Sequence, residues 1–308
     1  MEYIKIFSPG SVANVSCGFD VLGFCLDNIG DEMLISKTKA PGIRISKITG
    51  QDLPMEVKKN VAGVAAKAML KYHPVKFGFE IEIHKKIKPG SGIGSSAASA
   101  AGVVFGINEL IGKPFSSHEL IRFAMEGEPL ASGSYHADNV APVLMGGFTL
   151  VRSIKPIDVI KLPYPSELRA IVLHPKIELR TMHAREILKD KVSLEKAISQ
   201  WGNLAAFISA LYTKDFDLMS RSLVDEIVEP VRSLLIPEFE TIKKAVIKEG
   251  ALGFGISGSG PSVYALAKGS KNGNRIAYKM KSIINQLGID FDIYISKINN
   301  QGIKIISD

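Results

Sequence analysis

The chain has 308 residues, 46% of them hydrophobic and 22% charged, a balance that excludes a disordered protein and supports one large domain or two ordinary ones. Its net charge of +7 comes from scattered lysines, with no arginine-rich block and no basic stripe interleaved with aromatics, so no nucleic-acid partner is expected. The start Met1-Glu2-Tyr3 has no basic, apolar leader, no apolar run approaches the roughly 20 residues of a membrane span, and the two cysteines, Cys17 and Cys25, fit neither a CxxC motif nor a disulfide framework. A cytoplasmic protein with reduced thiols and no membrane partner is the expectation.

Tyr3 to Phe7 predicts a short strand. The segment from Ser8 to Gly23 is rich in small residues and carries two strong polar groups, Asn14 and Asp20. Such groups need partners if buried, and both also favour turns through local hydrogen bonds. Met33 to Lys39 and Ile43 to Ile48 predict strands joined by a Pro41-Gly42 hairpin turn. Val57 to Tyr72 has helical periodicity, and Asn60 near its start either caps the helix or touches a ligand. Phe77 to Ile83 alternates as a half-buried strand. Lys85, Lys86 and Lys88 follow it as a solvated strand end.

Next comes Pro89-Gly90-Ser91-Gly92-Ile93-Gly94-Ser95-Ser96-Ala97-Ala98-Ser99, opening an Ala-rich helix that reaches Leu110. Three glycines permit positive φ and close backbone approach, and Ser95 and Ser96 sit where an N-cap hydroxyl would sit. A glycine loop at a helix N-terminus is an anion site, most often for phosphate, although an ordinary Gly/Ser turn has the same composition. No Gly-Lys-Ser/Thr tripeptide is present, which excludes the P-loop, and the glycine spacing fails the dinucleotide fingerprint.

Ser116 and Glu119 form a capping-box pattern. A second polar stretch, Glu126 to Pro142, contains Glu128, His136, Asp138 and Asn139. His-x-Asp is compatible with a transition metal, and a capped loop with exposed acids is the alternative. Phe148 to Ser153 predicts a strand, after which Pro156, Pro163 and Pro165 mark a boundary between domains 1–160 and 161–308. Leu168 to Leu173 is a buried-type strand, followed by Thr181 and Arg185 before a helix reaching Leu188. Helices Leu194 to Tyr212 and Phe216 to Val224 lead to Arg232. An arginine at a loop–helix junction is usually a surface residue, yet it also suits a bidentate grip on a carboxylate. The remainder reads helix, strand, strand, helix, strand, which with Leu168–Leu173 is a β-α-β-β-α-β order. Gly253 to Gly258 spells G-x-G-x-x-G, but a helix precedes it and a strand follows, so it is no dinucleotide site.

The glycine loop resembles the nucleotide loop of the GHMP kinases, a family named for galactokinase, homoserine kinase, mevalonate kinase and phosphomevalonate kinase. Val12-Ala13-Asn14 with Gly18-Phe19-Asp20-Val21-Leu22-Gly23, and Ala131-Ser132-Gly133 with His136-Ala137-Asp138-Asn139-Val140-Ala141-Pro142, are similar to stretches of its homoserine kinase members. Gly255 to Ser262 resembles the third GHMP motif. The resemblance implies an α+β fold, with a ribosomal-S5-like N-terminal domain and a ferredoxin-like C-terminal domain. It implies ATP-dependent phosphorylation of the L-homoserine hydroxyl with Mg²⁺, and a homodimer is a family expectation. Nucleotide contacts fall on Asn60, Pro89, Gly90, Ser91, Gly92, Ile93, Gly94, Ser95, Ser96, Ala97, Ala98, Ser99, Gly258 and Gly260, and metal contacts on Ser95, Ser96 and Glu128. Substrate contacts fall on Asn14, Asp20, His136, Asp138, Asn139, Thr181, Arg185 and Arg232. Asn14, Asp20, His136 and Arg185 are the catalytic candidates; His136 is a candidate base by residue type with substrate binding its favoured role, no base is assigned, and direct proton transfer to phosphate stays open. Ser11 stands where mevalonate-type relatives carry a basic residue. The alternatives are a sister kinase acting on a shikimate- or mevalonate-type alcohol, and a non-catalytic ligand-binding member of the fold.

Overall fold

A computed structural model describes residues 2–177, 179, 181–189 and 191–307, without the side chains of residues 181–183. Strands β1 (Tyr3–Ala13), β2 (Leu22–Thr38), β3 (Gly42–Thr49), β4 (Gly78–His84), β5 (Phe148–Ile154) and β6 (Ile157–Leu162) build the first sheet. Strands β7 (Leu168–Pro175), β8 (Gly253–Ile256), β9 (Val263–Lys268) and β10 (Phe291–Lys297) build the second, and β11 (Lys304–Ile305) returns to pair with β1. The helices of the first half are α1 (Val61–Tyr72), α2 (Ser95–Leu110), α3 (Ser117–Met125), α4 (Glu128–Ser132) and α5 (Val140–Met145). Those of the second half are α6 (Thr181–Glu186), α7 (Leu194–Thr213), α8 (Phe216–Ser222), α9 (Glu229–Arg232), α10 (Phe239–Lys248) and α11 (Gly269–Asn285).

The first sheet runs β11-β1-β2-β4-β3, with β5 and β6 joined to the far end of β2. β1 extends past the expected Phe7 because Pro9-Gly10 falls at a register shift against β2, where a ladder tolerates proline. β3 does not form the expected hairpin with β2. It runs parallel to β4, which lies between them. Pro41-Gly42 does turn the chain, but Ile43 and Ile45 align with Phe79 and Ile81 of β4, Arg44 lies 3.9 Å from Glu80, and Lys47 lies 3.9 Å from Glu82. β6 extends to Leu162 in its pairing with β5, so a division at 160/161 cuts that strand, and β11 joins the first sheet rather than the second.

The second sheet has the order β10-β7-β9-β8 with every pair antiparallel, the arrangement of a ferredoxin-like domain. One apolar cluster fills the first domain between its sheet and α1, α2, α3 and α5. A second joins the two sheets, where Phe24 of β2 packs edge-on against Tyr264 of β9 with centroids 5.9 Å apart. That shared core holds the sheets together and leaves a cleft beyond it.

Candidate active site

The cleft has a volume of about 790 Å³ and takes walls from both domains. The glycine loop forms its floor. Gly90, Gly92 and Gly94 have φ of 73°, 81° and 66°, all in the left-handed region. A Cβ on Gly92 would stand 2.5 Å from the carbonyl oxygen of Ser257 and 2.8 Å from that of Gly260, so only glycine lets the hairpin after β8 come this close. The contact is sealed by the Ser257 hydroxyl, which donates to the Gly92 carbonyl at 2.6 Å. Gly94 is the N-cap of α2 and supplies no side-chain cap. Ser95 and Ser96 are therefore the first two helical residues rather than caps. The first-turn N–H groups of an uncapped helix remain available to an anion.

Beneath the loop lies a buried ion pair. Lys85 donates to the Asp31 carboxylate, to the Ser95 carbonyl at 2.9 Å and to the Ser99 hydroxyl at 3.1 Å. Asp31 also accepts the backbone N–H of Lys86 at 2.8 Å and of Ile87 at 3.0 Å. The pair thus ties the chain entering the loop to the helix leaving it. Burial lowers the Lys85 pKa, opposed by Asp31. The expectation that Lys85 is a solvated strand end is overturned. It keeps the inward parity of Phe79, Ile81 and Ile83 along β4, which is the signal that could have found it.

Glu128 opens α4 and is buried beside the loop. Its Oε2 accepts from the Ser96 hydroxyl at 3.4 Å, while Oε1 has no hydrogen-bond partner among the described residues. Burial pushes its carboxyl up to about 8, with the Asp138 charge adding to the shift against the Ser96 hydrogen bond. An orphaned, buried carboxylate oxygen next to a hydroxyl is a donor set for a hard cation. The Ser95 hydroxyl instead donates to the Ile87 carbonyl at 3.0 Å, so Ser96 is the loop serine at Glu128.

At the far end Asp20 accepts from Arg185 Nη2 at 2.6 Å, and its other oxygen lies 3.4 Å from His136 Nδ1. Arg185 Nη1 donates to His136 Nε2 at 2.8 Å. His136 Nε2 is therefore an acceptor, which assigns the neutral ring with its proton on Nδ1 facing Asp20. Burial lowers the His136 pKa, Asp20 raises it, and Arg185 and Arg232 lower it further. A ring nitrogen already engaged by a guanidinium does not serve as the base. Arg232 is buried and donates from Nε to the Ala184 carbonyl at 2.7 Å and from Nη1 to the Gly258 carbonyl at 3.3 Å. The Asn14 amide donates to the Gly258 carbonyl at 2.7 Å and accepts the Asp20 N–H at 3.0 Å. Asn14 and Asp20 both hold positive φ, 73° and 60°, a strained backbone that these contacts fix. Asp138 is buried, and desolvation pushes it up to about 7, with the Asp20 charge adding to the shift.

The family described as GHMP kinases N terminal domain matches residues 58–147, and GHMP kinases C terminal matches residues 207–285. A homoserine kinase from Chlorobium phaeobacteroides is 42% identical over 99% of this chain and 100% of its own length. The chain belongs to the GHMP kinase family. A homoserine kinase from Xylella fastidiosa is 34% identical over 98% of this chain and 94% of its own. The crystal structure of a homoserine kinase from Cytophaga hutchinsonii superposes with a TM-score of 0.96 at 48% identity, covering 99% of this chain and 98% of that one. An L. major mevalonate kinase shares the fold alone, with a TM-score of 0.71 at 17% identity over 96% of each chain.

In this GHMP kinase most of the anticipated residues meet at one cleft. Asn14, Asp20, Asn60, Pro89, Gly90, Gly92, Gly94, Ser95, Ser96, Ser99, Glu128, His136, Asp138, Asn139, Arg185, Arg232 and Gly258 line it. Asn60 also caps α1, accepting the Ala62 N–H at 3.0 Å. Ile93, Ala97 and Ala98 turn their side chains into the core, Ser91 is buried beneath the loop, and Gly260 packs on Gly92 outside the lining. The Thr181 side chain lies outside the described residues. Sequence reasoning missed the apolar end, where Leu53, Pro54, Val61, Ile83 and Leu130 form a wall, because such residues look the same in any core. It also missed His174 at the end of β7, a buried residue on the cleft wall.

Proposed function

We propose that this GHMP kinase transfers the γ-phosphoryl group of ATP to the side-chain hydroxyl of L-homoserine, giving O-phospho-L-homoserine for threonine synthesis in the cytoplasm. The observation that carries the substrate is the grouping of one carboxylate, Asp20, with two arginines, Arg185 and Arg232, on the cleft lining. A zwitterionic amino acid matches that set. Its ammonium replaces Arg185 on Asp20, and its carboxylate takes the guanidiniums. Full-length similarity to homoserine kinases supports the same choice.

The apolar wall and Asn60 suit adenine, and the glycine loop with the first turn of α2 suits the phosphates. Glu128 and the Ser96 hydroxyl would hold Mg²⁺, a hard cation suited to oxygen donors. When bound, it offsets charge on the phosphoryl oxygens. Phosphoryl transfer then needs chiefly alignment and charge stabilisation. Asp20 and the arginines fix the ends of the amino acid, Asn14 holds Asp20 in its strained backbone, and the ion pair under the loop keeps the phosphates in register. Calorimetric titration of homoserine into the chain, with and without a non-hydrolysable ATP analogue, tests the assignment. Homoserine binding that disappears in Asp20→Asn is expected, and equal binding of a mevalonate-type acid would contradict it.

A further inference from the structure

The two arginines meet on a ring that no role above uses. The Arg185 guanidinium carbon lies 5.8 Å from the Phe19 centroid, over the ring, and that of Arg232 lies 5.1 Å from the same centroid. Phe19 is half-buried and directly precedes Asp20. Two cations this close repel, and Arg185 is one of the charges that lower the Arg232 pKa, after burial as the main cause. An aromatic face carries partial negative charge and attracts a guanidinium within about 6 Å.

We propose that Phe19 is a positioning residue that holds both guanidiniums against one aromatic ring, so that a single carboxylate can reach both. This rests on the amino-acid pocket described above. Arg232 is anchored by the carbonyls of Ala184 and Gly258, which fix one side of the gap. Arg185 is anchored by Asp20 and His136. Once an ammonium occupies Asp20, Arg185 loses that partner, and the ring together with His136 keeps it beside Arg232. Phe19 therefore contributes to binding the carboxylate and nothing to the phosphoryl end.

The test compares wild type, Phe19→Leu and Phe19→Tyr on homoserine and on 3-aminopropan-1-ol, which is homoserine without its carboxylate. Phe19→Leu is expected to raise KM for homoserine about 5- to 30-fold, or about 1–2 kcal/mol at 1.4 kcal/mol per decade, with kcat within about twofold. KM for ATP and KM for 3-aminopropan-1-ol should not move, and Phe19→Tyr should behave as wild type. An unchanged homoserine KM in Phe19→Leu, an equal loss with 3-aminopropan-1-ol, or no rescue by Tyr overturns the proposal. Should Phe19→Leu fail to fold, phenylalanines of increasing fluorination at position 19 keep the shape while draining charge from the face. KM should climb along that series, and a flat series overturns the proposal. A wild type inactive on homoserine would instead remove the amino-acid pocket, and the proposal with it; an active wild type with an indifferent Phe19→Leu removes the proposal alone.

Discussion

Asp20 and Arg185 form an ion pair at 2.6 Å, so under the proposed function each binding group for the amino acid is also the other's partner. Removing the guanidinium with Arg185→Ala should lower kcat/KM for homoserine roughly 10- to 150-fold, the equivalent of about 1.5–3 kcal/mol for a charge-assisted contact. Arg185→Lys should also be impaired, because an ammonium cannot make the two-pronged contact. With 3-aminopropan-1-ol the same substitutions should bring no loss, since freeing Asp20 removes a competitor for the ammonium; equal loss on both substrates would place Arg185 in phosphate transfer or in the fold. Glu128 makes a second prediction, this one in pH. Its carboxyl keeps a proton up to about 8 in the folded chain, against an ordinary value of 4.5. Between those values the folded state binds more protons, so stability falls as pH rises. Melting curves from pH 5 to 8 should show that decline in wild type and a shallower one in Glu128→Gln, a difference on the order of 1–3 kcal/mol. Mg²⁺ competes with the same proton, so its activation constant should fall as pH rises towards 8. Parallel melting curves and a pH-independent Mg²⁺ constant would remove Glu128 from the metal site. Glu128 could be anticipated through resemblance alone, because one acid before a proline says nothing by itself about burial.

At the scale of elements, the loop and α2 are held by shape and by the pair below them. A Cβ on Gly94 would lie 2.2 Å from the Ser11 hydroxyl and 3.0 Å from Asn139 Oδ1, at a φ of 66°. Gly94→Val should therefore abolish nucleotide binding in calorimetry while the circular dichroism spectrum persists; wild-type affinity would mean the phosphates bind elsewhere. Lys85 and Asp31 are both buried, and removing one partner leaves a lone buried charge. Lys85→Met should cost about 3–5 kcal/mol in denaturant unfolding, and the double change Lys85→Met with Asp31→Leu should recover most of it. Additive losses in the double variant would show that the two side chains act independently. Helices were legible wherever period and caps agreed, as with Ser116 and Glu119, whose capping box forms. Strand partners were less legible. Pro41-Gly42 marks a turn without saying which strand lies beside it, and β4 arrives 36 residues later than Gly42 to take that place.

Across the whole molecule, the β-α-β-β-α-β order of the second half was readable, and its β10-β7-β9-β8 sheet follows from it. The return of β11 to the first sheet was not, because Lys304-Ile305 is too short to carry periodicity. Likewise the packing of Phe24 on Tyr264 joins residues 240 positions apart, and only the folded chain shows that the two sheets share a core. That core is why a cleft assembled from both domains can keep Asp20, Glu128 and Arg232 in one arrangement. The assembled cleft has a volume of about 790 Å³, and under the proposed function its chemistry favours a zwitterionic alcohol over the acids and sugars handled by other GHMP kinases. The direct test is a coupled ADP-release assay with ATP and Mg²⁺ across homoserine, shikimate, mevalonate and galactose, with ³¹P NMR of the product. Turnover on homoserine far above the other three, with the new phosphorus resonance that of a phosphate monoester on the side-chain oxygen, is the predicted result. Preferred turnover of any of the other three, or ADP release without a phosphorylated homoserine, would contradict it.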